Sequence, residues 1–170
     1  MKLQEFDVLS CEGQSLIAKG IRLFTGSRTT HTAFVIEVWG SLYVIDAQRN
    51  GVNLKPLSEW QKIYNYQYVI HRPKFEIDKQ KFTDKAMACI GFSNYDFYSL
   101  FIRQPIYILF GKWLGKKSRK DKRFYCSDYV GYCYEDYLPK VLKDYWRLSP
   151  VELKERLDGS GMFKTVKHNS

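Results

Sequence analysis

Thr32-Ala33-Phe34-Val35-Ile36-Glu37-Val38, then Trp39-Gly40-Ser41, then Leu42-Tyr43-Val44-Ile45-Asp46-Ala47 sets two runs rich in β-branched and aromatic residues on either side of a compact turn. That order predicts an antiparallel hairpin. With the turn centred near Gly40, Phe34 falls opposite Asp46 or Ala47, and His31 lies little more than one side-chain pair further along. Period-two alternation gives Phe34, Ile36 and Val38 one face and leaves His31 adjoining the other. On this reading, twist at the strand end has to bring His31 to Asp46.

Upstream, Leu16, Ile17, Ile21, Leu23 and Phe24 recur at helical spacing over 14–24, and Thr25-Gly26-Ser27 stops them. Downstream, Gly51 to Pro56 reads as a further extended piece and Leu57 to Lys62 as a short helical turn. Tyr66 to His71 reads as a strand ended by Arg72-Pro73. Phe82, Ala86, Cys89 and Ile90 mark a helix within 78–90, and Phe92 to Phe97 a turn. Pro105 is expected to break or kink the apolar stretch from Tyr98 to Leu114. A helix is expected from Cys126 to Tyr137, closed by Pro139. Ser149-Pro150 offers an N-cap followed by a proline at the first helical position. Early strands and later helices make the expected class α+β, a small antiparallel sheet or half-barrel packed against helices.

The length of 170 residues suits one domain, 1–170, with an apolar and basic insertion at about 98–123. A hydrophobic fraction of 45% argues against disorder. The N-terminus lacks the basic, apolar and small-residue sequence of a signal peptide, so the expected location is cytoplasmic, or a virion if the chain is phage-encoded. No apolar run approaches the length of a spanning helix. Cys11, Cys89, Cys126 and Cys133 include no Cys-x-x-Cys pair for zinc and read as free thiols; no metal and no cofactor is expected. The formal net charge of +9 draws the protein toward anionic partners. Lys116, Lys117, Arg119, Lys120, Lys122 and Arg123 concentrate that charge, an expected contact for an anionic surface or a protein partner. The same run with Tyr107, Trp113, Phe124 and Tyr125 is a weaker case for nucleic acid, since no recognised motif accompanies it.

Three residues suggest chemistry. A thiol at a helix start ionises more readily because unpaired backbone N–H groups favour the anion, and Cys126 holds that position; Cys133, two turns on, reads as a core thiol. His31 is the candidate base, and Asp46 the candidate acid to orient it. Glu37 is the competing acid, but six residues of strand put it roughly 20 Å from His31. Each residue alone has an ordinary structural explanation: a buried cysteine, a strand-end histidine, an acid at a turn.

Asp7-Val8-Leu9, Ser27 followed four residues later by His31, Tyr43-Val44-Ile45-Asp46-Ala47, Gly51-Val52, Tyr95-Asp96, Tyr125-Cys126-Ser127-Asp128 and Ser149-Pro150 with Leu153 follow in order. Together they resemble the circularly permuted papain-like hydrolases of the NlpC/P60 superfamily, the YiiX/YaeF-like group, over most of the chain. The resemblance implies a permuted papain-like fold with Cys126 as nucleophile, His31 as base and then acid, and Asp46 orienting His31. The Cys126 backbone N–H would serve as one oxyanion donor. Two positions depart from the pattern. Phe6 stands where the family usually has glycine, and Asp46 is shorter than the frequent Glu, which would leave its bond to His31 long.

The expected activity is a cysteine hydrolase or acyltransferase acting on a peptide, isopeptide or lipid-acyl bond through an acyl-thioester. The alternative is a catalytically weak or inactive structural or interaction protein, such as a phage particle component, that reuses the fold.

Overall fold

The structure, a computed structural model, describes residues 2–13, 16–65, 67–91, 94–96, 98–112, 114 and 123–167. In chain order the elements are β1 (Val8–Cys11), α1 (Leu16–Thr25), β2 (His31–Val38), β3 (Ser41–Gln48), β4 (Gly51–Pro56), α2 (Leu57–Ile63), β5 (Tyr68–Pro73), α3 (Lys79–Met87) and β6 (Asn94–Tyr95). A π-helical turn (Ser99–Arg103) then runs into α4 (Gln104–Phe110). It is followed by β7 (Arg123–Phe124), α5 (Cys126–Tyr134), a 3-10 turn (Tyr145–Arg147), α6 (Pro150–Gly159) and β8 (Phe163–Lys167). The fold is α+β: six antiparallel strands in the order β4-β3-β2-β1-β5-β8 packed against helices, with β6 and β7 as a separate parallel pair. No helix among the described residues is long and apolar enough to cross a membrane.

Each face of the sheet carries its own core. Val8, Phe34, Ile36, Ile45 and Ala47 pack with Phe82 and Ala86 of α3, Tyr129, Val130 and Cys133 of α5, and Leu153 and Leu157 of α6. On the opposite face, Leu9, Cys11, Ala33, Val35, Val44 and Ile70 pack with Trp60 of α2 and Tyr68. Both faces are covered, so the central strands are apolar at consecutive positions rather than alternating.

The hairpin turn is two residues long, with Trp39 at φ 49° and Gly40 at φ 75°, the left-handed pair whose twist suits adjoining antiparallel strands. It sets Phe34 opposite Ile45, and Val35 opposite Val44, rather than Phe34 opposite Asp46 or Ala47. Against a pairing of Phe34 with Asp46 this is a shift of one residue, which moves Asp46 to the face opposite Phe34. His31 shares the parity of Val35, and Asp46 that of Val44, so the two stand on one face without help from strand twist.

Other differences have local causes. The helix continues through Pro105 because the preceding π turn widens the backbone where the proline ring would clash and its N–H is missing. α5 stops at Tyr134, one turn before the expected end. Leu23, placed on the apolar stripe of α1 by spacing, points outward at 82% exposure. Most of the basic run, Lys116 to Lys122, lies outside the described residues, as does Trp113.

At the start of β1, the buried Asp7 carboxylate accepts from Arg72 Nε and Nη2, both at 2.8 Å, and from the Gln4 backbone N–H at 2.8 Å. This fork ties β1 to β5 and accounts structurally for the Asp7-Val8-Leu9 segment. Phe6, before it, has φ 65°. That left-handed conformation is the one a glycine takes without strain; the phenylalanine ring is instead held edge-on against Phe82 at 5.1 Å between centroids.

Candidate active site

Residues 125–127 place the thiol by anchoring its neighbours. Tyr125 caps α5 in an extended conformation, and its hydroxyl donates to Trp146 O at 2.9 Å. Ser127 Oγ donates to Leu148 O at 2.7 Å. Both carbonyls belong to the segment leading to Ser149, which caps α6 through a reciprocal capping box with Glu152. The segment can close on α5 because residue 131 is glycine: a Cβ there would sit 2.3 Å from Tyr145 Cβ. Cys126, between the two anchored side chains, begins α5 with its backbone N–H outside the intrahelical ladder.

His31 opens β2 and Asp46 sits near the end of β3. His31 Nε2 lies 2.8 Å from Asp46 Oδ2. The shorter acid therefore makes a bond of ordinary length, contrary to the expectation from its missing methylene, because register rather than side-chain reach closes the distance. Ionised Asp46 only accepts, so Nε2 carries the proton and Nδ1 is the nitrogen left for Cys126, with which His31 shares a side-chain hydrogen bond. Glu37 plays no part in this arrangement; it pairs with Lys79 Nζ at 3.1 Å.

Three supporting residues had no recognisable sequence signal. Gln48 Nε2 donates to Asp46 Oδ2 at 2.8 Å and Trp60 Nε1 at 3.4 Å. Tyr64 lies parallel to the His31 ring, with centroids 5.5 Å apart. Gln48 was discoverable only through its place two residues after Asp46 on the same face of β3.

The electrostatics separate the cysteines. Burial pushes the Cys126 thiol up, but the His31 imidazolium and backbone N–H groups of Thr32 and Ser127 outweigh it and hold the pKa below the ordinary thiol value. Burial pulls His31 down, and the negative charges of Cys126 and Asp46 more than reverse it, raising its pKa to about 10. Burial also raises Asp46, whose bonds to His31 and Gln48 bring it below the carboxylate range. Cys11 and Cys133 are pushed well up, foremost by burial, so both are neutral thiols. The arrangement can supply a thiolate, an imidazolium beside it and a carboxylate fixing the ring.

A second histidine also lies between a hydroxyl and a carboxylate. His71 Nδ1 is 3.1 Å from Asp158 Oδ1 and its Nε2 is 3.0 Å from Ser10 Oγ. Ser10 and His71 are both buried, which makes this a closed chain joining β1, β5 and α6.

No family model and no curated protein matches this sequence. Among solved structures, the chain is similar to the crystal structure of the metalloprotein YiiX from Escherichia coli O157:H7. The identity is 26% over 98% of this chain and 89% of that one, with a TM-score of 0.61. The likeness supports a YiiX-like assignment.

Proposed function

We propose that this YiiX-like chain is a cysteine hydrolase or acyltransferase with Cys126 as nucleophile, His31 as acid and base, and Asp46 as the group that orients His31. The observation that carries the reading is selective activation: the Cys126 thiol is lowered by an imidazole and two N–H donors while Cys11 and Cys133 are raised. The thiolate attacks the carbonyl carbon of an amide or ester, and the oxyanion forms near the Cys126 backbone N–H. As the C–N or C–O bond breaks, the His31 imidazolium passes its proton to the departing amine or alcohol, leaving an acyl-thioester on Sγ. Water then gives a proton to His31, its oxygen takes the acyl group, and the thiolate departs. An amine or alcohol in place of water makes the reaction a transfer. Cys126 is 1% exposed and His31 12%, so a carbonyl reaches the sulfur from the imidazole side, with displacement of the cover over Sγ.

The permuted papain-like assignment within the NlpC/P60 superfamily, as a single domain with an insertion over about 98–123, belongs to the same proposal. YiiX is described as a metalloprotein. Among the described residues here, no three His, Cys, Asp or Glu side chains gather to hold a metal ion, and Asp46 Oδ2 and His31 Nε2 are committed to each other. The residues do not fit a metal centre, and no step is assigned to one.

The test compares the protein with Cys126→Ala, Cys11→Ser and Cys133→Ser, using iodoacetamide labelling at neutral pH and hydrolysis of a p-nitrophenyl ester and an aminoacyl p-nitroanilide. Labelling and turnover lost only in Cys126→Ala support the reading. Unchanged labelling and turnover in that variant refute it.

A further inference from the structure

α1 and the π turn leading into α4 form one surface of unusual chemistry. α1 packs on α4, and a Cβ at Gly20 would lie 3.7 Å from Phe101 Cε1. From this paired surface Leu23 projects at 82% exposure, Leu109 at 67% and Phe110 at 70%, with Phe101 and Ile102 also exposed. Large apolar side chains grouped in this way mark an interaction surface rather than the scattered exposure of an ordinary protein face. Exposed Lys19 is in α1, exposed Arg28 follows that helix by three residues and exposed Lys112 follows α4 by two, and Arg103 lies over the Tyr98 ring at 4.9 Å. Neither segment contributes a carboxylate: the sequence has no Asp or Glu between Glu12 and Glu37, and none between Asp96 and Asp121.

We infer that this surface docks on an anionic lipid bilayer. Apolar side chains enter the acyl boundary while lysine and arginine remain at the headgroups, and the two contributions together give the binding that neither gives alone. A second copy of the chain would bring cations against cations, since the one carboxylate bordering α1 among the described pairs, Glu12, already lies 3.9 Å from Arg22. Nucleic acid would satisfy the charges but leave Leu23, Ile102 and Leu109 exposed to water. The inference is independent of the thiol chemistry, although position connects them. α1 leads into the strand opened by His31, and the hydroxyl of Tyr125, which precedes Cys126, lies 3.4 Å from Gln104 Oε1 of α4.

The experiment sediments the full chain with vesicles of phosphatidylcholine alone and with phosphatidylglycerol added. The expected result is binding to the anionic vesicles that weakens with salt. Leu109→Ser with Phe110→Ser should weaken it about tenfold or more, since both side chains leave water on docking. Lys19→Gln with Lys112→Gln should reduce the preference for phosphatidylglycerol. Thermal midpoints and iodoacetamide labelling of Cys126, measured without vesicles, should stay at wild-type values, so that failure of docking and failure of the hydrolase reading are told apart. Absence of vesicle binding, or binding that ignores both variants, overturns the inference. So does a wild-type dimer that Leu109→Ser with Phe110→Ser splits, or duplex DNA captured through the same residues in place of vesicles.

Discussion

Asp46→Asn removes the buried negative charge beside His31 while leaving the shape of the site in place. Asp46 Oδ2 accepts from His31, Gln48 and Trp60, and Oδ1 has no partner among the described residues. An asparagine can therefore keep its carbonyl oxygen at the Oδ2 position and put its nitrogen where no bond is lost. What disappears is the excess of a charge-assisted bond over a neutral one, about 1–1.5 kcal/mol. At about 1.36 kcal/mol per pH unit, the His31 pKa should fall by about 1 unit. Burial pulls that pKa down and the charges of Cys126 and Asp46 raise it to about 10, so removing Asp46 shifts the balance toward burial. The assay is a proton NMR titration of the His31 ring in both proteins, with iodoacetamide labelling to show that Cys126 remains reactive. A His31 midpoint unchanged by Asp46→Asn, or one already near 6.5 in the wild type, would refute the ion-pair account.

Phe6 should show a reversed preference between glycine and alanine. At an ordinary position alanine is the more stabilising of the two, but at φ 65° the alanine Cβ retains the strain, so Phe6→Gly should exceed Phe6→Ala by about 1 kcal/mol in urea unfolding. Equal stability, or a more stable alanine variant, would show that the backbone relaxes. Acid should weaken the fold through His71, whose burial holds its pKa at about 4 against the raising effect of Asp158. The unfolded chain binds the extra proton between pH 6.5 and about 4, so stability is full above that window and falls by about 3 kcal/mol on descending through it. Urea midpoints at a series of pH values check this, and His71→Asn should remove most of the slope; an equal slope in that variant would place the sensitivity elsewhere.

The hairpin was legible because its determinants lie within sixteen residues: two β-rich runs, a turn, and a limit on how far apart the strands can be. Its register was not, because the turn uses Trp39 in a conformation favoured by glycine or asparagine, and moving the centre by half a residue, from Gly40 to between Trp39 and Gly40, shifts the pairing by one and exchanges the faces. The Ser149 cap was a local pattern and was placed from sequence, whereas the Asp78 cap on α3 was not read there. β8 carries only Phe163 and Val166 as apolar residues and owes its strand character to pairing with distant β5. At the candidate site, Cys126 was distinguished by its position at a helix start and His31 and Asp46 by the hairpin. Gln48, Trp60 and Tyr64 depend on packing after the sheet has formed, and polar or aromatic residues in those positions have no one-dimensional signature.

Cys11 shows why proximity alone does not make a nucleophile. It pairs with His31 in the sheet and is buried at the same corner as Cys126, yet its Sγ donates to the His31 carbonyl oxygen at 3.5 Å. An acceptor favours the protonated thiol, and the nearby negative charges of Asp46 and Cys126 add to the burial that already raises its pKa. Cys126 meets the opposite polarity: the backbone N–H groups of Thr32 and Ser127, and the imidazole. Thr32 follows His31, so one peptide unit at the start of β2 presents its carbonyl to one thiol and its N–H to the other. The extended backbone points these groups in opposite directions, so that the same peptide favours the protonated form of Cys11 and the anionic form of Cys126. Sequence proximity to a histidine could not have ranked them; the His31 imidazole, which Cys126 meets and Cys11 does not, separates them first, and the direction of that peptide adds to it.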